Sequence, residues 1–475
     1  MMADAAPVPL VVDVDGTLIK SDLLHEKVLQ FVAHHPFDAW RLPLWLAGGK
    51  QRLKCELAAR VPLDVGAIPL REETMAQVRS AQIEGREVYL ASASEQGLVE
   101  RLADEIGGIS GVFGTDPQGN AAGARKAEKL NAALGECRYD YIGDRPVDFA
   151  VWRSARKVLA VSHSERFSRR LRREFPQAEI LVEPRPKLRA YLHALRPHQW
   201  TKNVLVFLSL IAGHRLDADA VATTTLAFVC FCLAASSAYV INDLLDLPSD
   251  RAHPRKRRRP FAAGDIPIAH GVVIGALLMA LALACSLALP PRFTATLVGY
   301  VVLTLAYSLY LKRKLLIDVI VLGGLYTIRV LAGIAATAAT YSPWLLMFSL
   351  FLFLSLATVK RCSELIARRN AGKAPPPGRG YLAEDLAVLL PLGAASGFTA
   401  VLVVALYLSS DEIRVLYAHP NRMWLICPLL VYWISRLLLL SNRDQLHDDP
   451  VIFALTDRVS WLTGLLAAMI VALSI

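Results

Sequence analysis

The sequence predicts a multidomain chain. An N-terminal α/β doubly wound domain with a helical cap is followed by an all-α transmembrane bundle of about nine helices. Three observations carry this expectation. The first 160 residues alternate short apolar strands with helical segments, the pattern of a parallel sheet covered by helices. Beyond about residue 203, apolar stretches long enough for a bilayer recur to the C-terminus. The 475 residues are 54% hydrophobic and 20% charged, with a mean hydropathy of +0.38, a membrane-protein composition.

The strands are taken in order. Pro9–Val14 is a short buried strand, and Glu87–Ser92, Val112–Gly114, Tyr139–Asp144 and Lys157–Val161 follow it. Residues 22–80 contain no convincing strand and read as a helical cap inserted after the first one. The α/β domain is placed at 1–161. Residues 162–194 carry Arg166, Arg169, Arg170, Arg172, Arg173, Arg185, Lys187 and Arg189 and read as a basic linker lying on a membrane surface. The transmembrane domain takes 195–475. Its candidate spans are 203–213, 222–241, 268–290, 293–311, 315–338, 341–358, 386–408, 421–440 and 457–475.

A net charge of +10 would suit nucleic acid in a soluble protein. Here the excess lies in short loops between spans, so anionic lipid headgroups and phosphate substrates are expected, and nucleic acid is not. With the N-terminal domain inside, the cytoplasmic loops hold sixteen Lys and Arg, among them Lys373, Arg379 and Arg443; Arg215, Arg292, Arg414 and Arg422 are the four on the opposite side. This bias predicts a multi-pass protein of the inner (cytoplasmic) membrane with a cytoplasmic N-terminal domain. No signal peptide is read. The seven Cys show no ligand spacing and no disulfide framework.

Asp13-Val14-Asp15-Gly16-Thr17 follows the first strand directly, where a doubly wound sheet binds its ligands. Asp13 suits a nucleophile that forms an aspartyl-phosphate. Asp15, two residues on, suits general acid/base work. Ser92, or Ser94 if the strand ends later, suits a phosphoryl oxygen, and Lys126 suits developing negative charge. Asp144 and Asp148 suit Mg²⁺. The bland reading of a D-x-D-G-T segment alone is a turn with an N-cap; Ser92, Lys126 and Gly143-Asp144-x-x-x-Asp148 in order make that reading weaker still. The set resembles the haloacid-dehalogenase-like phosphohydrolase superfamily over residues 9–160. The resemblance implies a Mg²⁺-dependent phosphatase, with Asp13, Asp15, Asp144 and Asp148 around the metal and Ser92 and Lys126 on phosphate.

The most informative stretch of the membrane half is Asn242-Asp243-Leu244-Leu245-Asp246-Leu247-Pro248-Ser249-Asp250. It closes one apolar run and opens the basic Arg251-to-Pro260 segment. Carboxylates at the mouth of a membrane helix need a cation. Mg²⁺ carrying a diphosphate fits Asp243, Asp246 and Asp250, with Asn242 beside them and Lys256 and Arg259 on phosphate oxygens. Asn242, Asp246 and Asp250 share one helix face, although Pro248 suggests that Asp250 lies on the following loop. The competing reading is a polar stop with positive-inside residues. A second segment, Tyr307 to Asp318, includes Lys312 and places Asp318 in an apolar helix, with Tyr326 and Arg329 on the same face. An Asp318–Arg329 pair that only pins helices is the bland alternative. Lys202 and Asn203, and Lys360, Arg361 and Glu364, sit at span ends, where interfacial anchoring competes with substrate binding.

From about Leu195 onward the chain resembles the UbiA-type intramembrane prenyltransferase superfamily. Leu195-to-Asn203, the His253-Pro254-x-Lys256-Arg257-x-Arg259-Pro260 tail and Lys360-to-Leu365 look closest to its decaprenyl-phosphate phosphoribosyltransferase branch. That resemblance implies transfer of phosphoribose from phosphoribosyl diphosphate to a polyprenyl phosphate, with Asp246, Asp250 and Asp318 in the reaction. It also implies Lys202, Asn242, Lys256, Arg259, Lys312, Tyr326, Arg329 and Lys360 on substrates. The alternative is a prenyltransferase moving an isoprenoid from its diphosphate to an aromatic acceptor, as a 4-hydroxybenzoate polyprenyltransferase does. Leu322, where that branch usually has a second Asp, speaks against it. Expected partners are the bilayer, these lipids and the diphosphate donor, and a homo-oligomer is compatible with all of this.

Overall fold

A computed structural model describes residues 7–115, 122–182, 187–213, 217–338, 342–372, 380–413, 417–446 and 449–475. Arg185, Arg215, Lys373, Arg379 and Arg414, used above, lie outside these residues. The chain divides into two compact units, Met1–Leu195 with Tyr239–Gly275, and Arg196–Ala238 with Ala276–Ile475.

In the first unit six strands form one parallel sheet: β1 (Leu10–Asp13), β2 (Val88–Glu95), β3 (Gly111–Thr115), β4 (Asp140–Gly143), β5 (Lys157–Ser162) and β6 (Glu179–Val182). Their order is β3-β2-β1-β4-β5-β6. β1 and β4 are buried throughout, as strands covered on both faces must be. Leu10 aligns with Val88 on one side and Asp140 on the other. The strand order reverses between β1 and β4, so the ligand crevice belongs at their C-terminal ends.

Five strands stand where the sequence places them. β6 corrects the linker reading: Leu159 to Ser162 pair with Glu179 to Val182 inside the stretch read as a basic linker. Four residues among Arg-rich neighbours carry too little periodicity to be seen as a strand. The cap is helical, with α1 (Leu23–His34), α2 (Arg41–Ala47) and α3 (Lys50–Arg60) closing on a small core of Phe31, Trp45, Leu53, Leu57 and Val61.

The same unit contains a piece of the membrane half. Val240, Leu244, Leu247, Phe261 and Ile266 form one buried cluster with Ala194, and Leu29 of α1 and Tyr191 pack against it. Each fully buried side chain of this kind contributes about 1.5–3 kcal/mol.

The second unit is helical. Seven described helices are long and apolar enough to cross a membrane: Ala218–Leu245, Ile268–Ser286, Pro291–Leu309, Ile317–Ala336, Pro343–Asn370, Ala383–Ser409 and Pro420–Asn442. Two of them, Ala218–Leu245 and Ile268–Ser286, have one end in the first unit. An eighth span is available if Pro450–Thr456 and Arg458–Ala472, bent by 78°, count as one. This corrects the expected nine. The segment 203–213 is a 3₁₀ helix, Pro197–Phe207, followed by the five-residue helix Leu208–Ala212, too short to span.

Phe261 is 2% exposed and touches the place where Gly271 has no side chain. Phe261→Ala should cost about 3–5 kcal/mol. The thermal unfolding midpoint of the purified protein checks this; an unchanged midpoint would show that the cluster of Ala194, Val240, Leu244 and Phe261 contributes no stability.

Candidate functional site

The first candidate site lies at the C-terminal ends of β1 and β4. Asp13, Asp144 and Asp148 bring one carboxylate oxygen each within 4.8 Å of one another, a group able to hold a metal ion. Lys126 donates to Asp13 and, at 3.1 Å, to the Tyr141 hydroxyl, and Tyr141 donates to Asp148 at 2.9 Å. The amides of Asp144 and Arg145 hold the other Asp148 oxygen. Thr17 lies 3.3 Å from both Asp13 and Asp144. Gly16 makes the tight turn with φ of +82°, and a Cβ there would stand 2.4 Å from Asp144 Oδ2, so only glycine lets the loop approach.

Burial lifts the Asp13 carboxyl to about 7 against the pull of Lys126. Burial, then the neighbouring Asp13, pushes Asp144 well above the ordinary range. Three crowded carboxylates of this kind fit a divalent cation, whose charge reverses both effects.

Asp15, expected among the metal residues, stands outside that carboxylate group. Its oxygens accept from the Leu23 amide at 2.8 Å, Ser92 at 2.9 Å and Ser94 at 3.1 Å. Both serines therefore belong to the site, because β2 runs on to Glu95 and residues two apart share a face. Desolvation, with the Asp22 carboxylate, raises Asp15 above its ordinary value, which suits a proton donor.

The second candidate site is the carboxylate loop, also in the first unit. The helix Ala218–Leu245 ends at Asp246, which precedes a short helix, Leu247–Ala252. Asp250 thus sits on a helix rather than on a loop, because Pro248 occupies the first turn, where no backbone donor is needed. Asn242 donates to Asp246 at 3.0 Å. One Arg259 nitrogen bridges Asp243 at 3.2 Å and Asp250 at 2.6 Å. Lys256 stands 3.9 Å from Asp250 Oδ1, a buried oxygen with no hydrogen-bond partner. Asp243, Asp246 and Asp250 do not gather tightly enough to count as a metal-holding group; Arg259 lies between two of them instead. The orphaned Asp250 oxygen and the paired, nearly dry carboxylates still fit a divalent cation carrying phosphate oxygens.

The second unit gathers a different cluster. Lys202 donates to Asp449 at 3.0 Å, Lys360 to the same oxygen at 2.7 Å, and the Tyr326 hydroxyl to Asp449 at 3.1 Å. Arg329 lies over the Tyr326 and Tyr300 rings and donates to Asn203 at 2.9 Å and the Tyr300 hydroxyl at 3.1 Å. Two lysines thus share one oxygen of Asp449, with Arg329 beside them over the Tyr326 ring, an arrangement of largely buried cations that suits an anion. Lys202, Tyr326 and Lys360 meet at Asp449, and Arg329 lies over the Tyr326 ring.

Asp318 is not with them. It is fully buried against Arg361 at 2.8 Å and accepts from Tyr381, while Arg361 also donates to Glu364. The alternative of an Asp318–Arg329 pair that only pins helices is corrected to an Asp318–Arg361 pair. Eleven helical residues separate Asp318 from Arg329 by about 16 Å along the axis, so a shared face does not bring them into contact. Lys312 is half-buried in the 3₁₀ turn Leu311–Arg313. Asp449 was missed by the sequence reading; the available signal was an Asp before Pro450, where it caps the helix. Glu26 and Arg251, paired at 2.7 Å, were missed as well.

A carboxylate-and-arginine loop in one unit and a helical bundle with buried cations in the other are each suited to phosphate chemistry. The profile of the UbiA prenyltransferase family matches residues 203–456, and the chain belongs to that family, an integral membrane enzyme of the prenyltransferase class. An uncharacterised protein of Sinorhizobium fredii, y4nM, is 38% identical over 465 residues, 97% of this chain and 90% of its own length. A decaprenyl-phosphate phosphoribosyltransferase of Mycobacterium tuberculosis is 36% identical over 295 residues, 60% of this chain and 95% of its own length. A solved UbiA homologue from Archaeoglobus fulgidus bound to GPP and Mg²⁺ has a TM-score of 0.46 at 19% identity, over 60% of this chain and 97% of that one.

The buried Asp318–Arg361 pair yields a prediction. Arg361→Met should destabilise the protein by about 3–5 kcal/mol, because Asp318 would lose its buried cation. Adding Asp318→Asn should restore part of the loss. Denaturation of both variants in detergent measures this; a single variant as stable as the parent would rule out a stabilising pair.

Proposed function

We propose that the membrane half transfers phosphoribose from phosphoribosyl diphosphate to a polyprenyl phosphate, and that the N-terminal domain is a haloacid-dehalogenase-like phosphatase. The observation that carries the first part is the similarity to a decaprenyl-phosphate phosphoribosyltransferase across 95% of that protein's length. The carboxylate loop supports it chemically. Asp243 and Asp250 are buried, share Arg259 and have Lys256 alongside, so anionic oxygens find both a cation site and basic partners there. Mg²⁺ bound at these carboxylates would neutralise the diphosphate as it departs. Arg259 and Lys256 would hold its oxygens.

Within the second unit, Lys202 and Lys360, held in place by Asp449, would attract a phosphate group. The acceptor phosphate oxygen bonds to the anomeric carbon as the carbon–oxygen bond to diphosphate breaks. The acceptor is already ionised, so no strong base is needed.

In the phosphatase, Asp13 would attack phosphorus while Asp15 gives a proton to the leaving alcohol. Lys126 holds Asp13 in position. Water then cleaves the aspartyl-phosphate, with Asp15 taking a proton back. Mg²⁺ held by Asp13, Asp144 and Asp148 would supply charge for the transferred group. A sugar 5-phosphate on the transfer product is the natural substrate in this reading. The positive-inside bias supports a cytoplasmic position for the domain.

Asp246→Asn should abolish transfer and leave hydrolysis of a small phosphate ester intact, and Asp13→Asn should do the reverse. Both activities are measured on each preparation with labelled phosphoribosyl diphosphate and polyprenyl phosphate. Lipid mass spectrometry of Asp13→Asn should show ribose still carrying its 5-phosphate. Product only with a prenyl diphosphate and an aromatic acceptor would overturn the phosphoribosyl reading.

A further inference from the structure

Arg251 follows Asp250 in the basic segment, yet it does not face solvent. Its side chain is 6% exposed, and Glu26, its partner, is 1% exposed. Two parallel bonds join them, Nη2 to Oε1 at 2.7 Å and Nη1 to Oε2 at 3.1 Å. Arg251 Nε donates to the Ala262 carbonyl at 3.3 Å. Ser21 donates to the same Glu26 carboxylate. Glu26 lies on α1, the helix whose Leu23 amide holds Asp15. One guanidinium thus ties α1 to both ends of the segment from Asp250 to Ala262. That segment carries Lys256 and Arg259, and its first residue is the carboxylate that shares Arg259 with Asp243.

A positive-inside residue would rest in water or among headgroups at little cost. Burying an arginine against a buried glutamate is unfavourable unless both are fully satisfied, and here the geometry satisfies them. A bidentate pair also fixes orientation, since a planar fork meets a planar carboxylate in one way. Lysine could not replace that fork.

We infer that Glu26 is a positioning residue for the carboxylate loop. Through Arg251, the N-terminal domain holds Asp243, Asp250, Lys256 and Arg259 in the arrangement that receives a Mg²⁺–diphosphate. The inference rests on the reading of that loop as the diphosphate site. It makes the N-terminal domain a structural part of the transfer machinery, apart from any hydrolysis it performs.

The test uses the full chain in lipid nanodiscs and two readouts. The first is calorimetric binding of inorganic diphosphate with Mg²⁺. The second is steady-state transfer, varying donor and acceptor in turn. Glu26→Ala and Arg251→Lys should each weaken diphosphate binding and raise the donor KM by about tenfold, with the acceptor KM changed by less than about twofold. The double variant Glu26→Arg with Arg251→Glu should recover most of the binding, because the pair is remade with its charges exchanged. Unchanged diphosphate binding in Glu26→Ala overturns the inference. Equal losses for donor and acceptor, with a lowered unfolding midpoint and no recovery in the exchanged pair, also overturn it, as a general folding defect. If wild type binds Mg²⁺–diphosphate but transfers nothing from phosphoribosyl diphosphate, the transfer reading fails and the binding comparison still decides the role of Glu26. If Asp243→Asn and Asp250→Asn leave wild-type diphosphate binding intact, the loop is not the site, and reading and inference fall together.

Discussion

The cost of burying charge governs this structure. A carboxylate away from water needs a cation within a few ångströms, and a cation there needs an anion. Asp13 is met by Lys126, Glu26 by Arg251, Asp243 and Asp250 by Arg259, Asp318 by Arg361, and Asp449 by Lys202 and Lys360. These contacts decide where α1, the carboxylate loop and the helix Pro343–Asn370 stand. The apolar clusters around them supply most of the favourable energy, but apolar contact is non-directional. The ion pairs add direction to that packing, although buried atoms of Asp250, Asp318 and Arg361 stay without a hydrogen bond.

The same rule separates groups that pack from groups that act. Around Asp318 the charges close on themselves: Arg361 takes Asp318 and Glu364, Tyr381 takes the other Asp318 oxygen, and both principals are sealed from solvent. Asp318 Oδ2 and Arg361 Nε and Nη2 are nonetheless buried without a hydrogen bond, so this group is closed by charge and not by hydrogen bonding. Around Asp449, two lysines share one of its oxygens, and the hydrogen bonds of Arg329 among the described residues are to neutral acceptors. On the carboxylate loop, Asp250 keeps a buried oxygen without a hydrogen bond. Unbalanced sites of this sort are where an ionic substrate gains most from binding.

Local order was legible in the sequence, and long-range partners were not. β1, β4 and the Asp13-to-Thr17 loop follow from an apolar run meeting a polar turn, a pattern that one stretch of chain contains. The N-D-x-x-D segment was legible for the same reason. β6 was hidden because four residues give no period. Arg361 was not legible as the partner of Asp318, because a helical face can be counted along one helix, whereas Arg361 arrives from another. Glu26 and Arg251 lie 225 positions apart, Asp449 and Lys202 lie 247 apart, and nothing local in either pair announces the other. The span count failed for a related reason: hydropathy sees composition, while the 3₁₀ turn from Pro197 to Phe207 is a backbone outcome.

The division of the chain into units bears on why a parallel-sheet fold and a membrane bundle share one polypeptide. A domain attached only for proximity would need a linker and a surface. Instead, the end of the helix Ala218–Leu245 and the loop after it pack with α1 and Tyr191 in one compact unit. The carboxylates that close a membrane helix are therefore held by the fold that carries Asp13 and Asp15. A loop of this kind, with six Lys and Arg between Arg251 and Arg259, would repel itself and open if left alone. Withdrawing Arg251 into a buried pair and spending Arg259 on two carboxylates lowers that repulsion. Lys256, with nearly half its side chain in solvent, stays available for a phosphate.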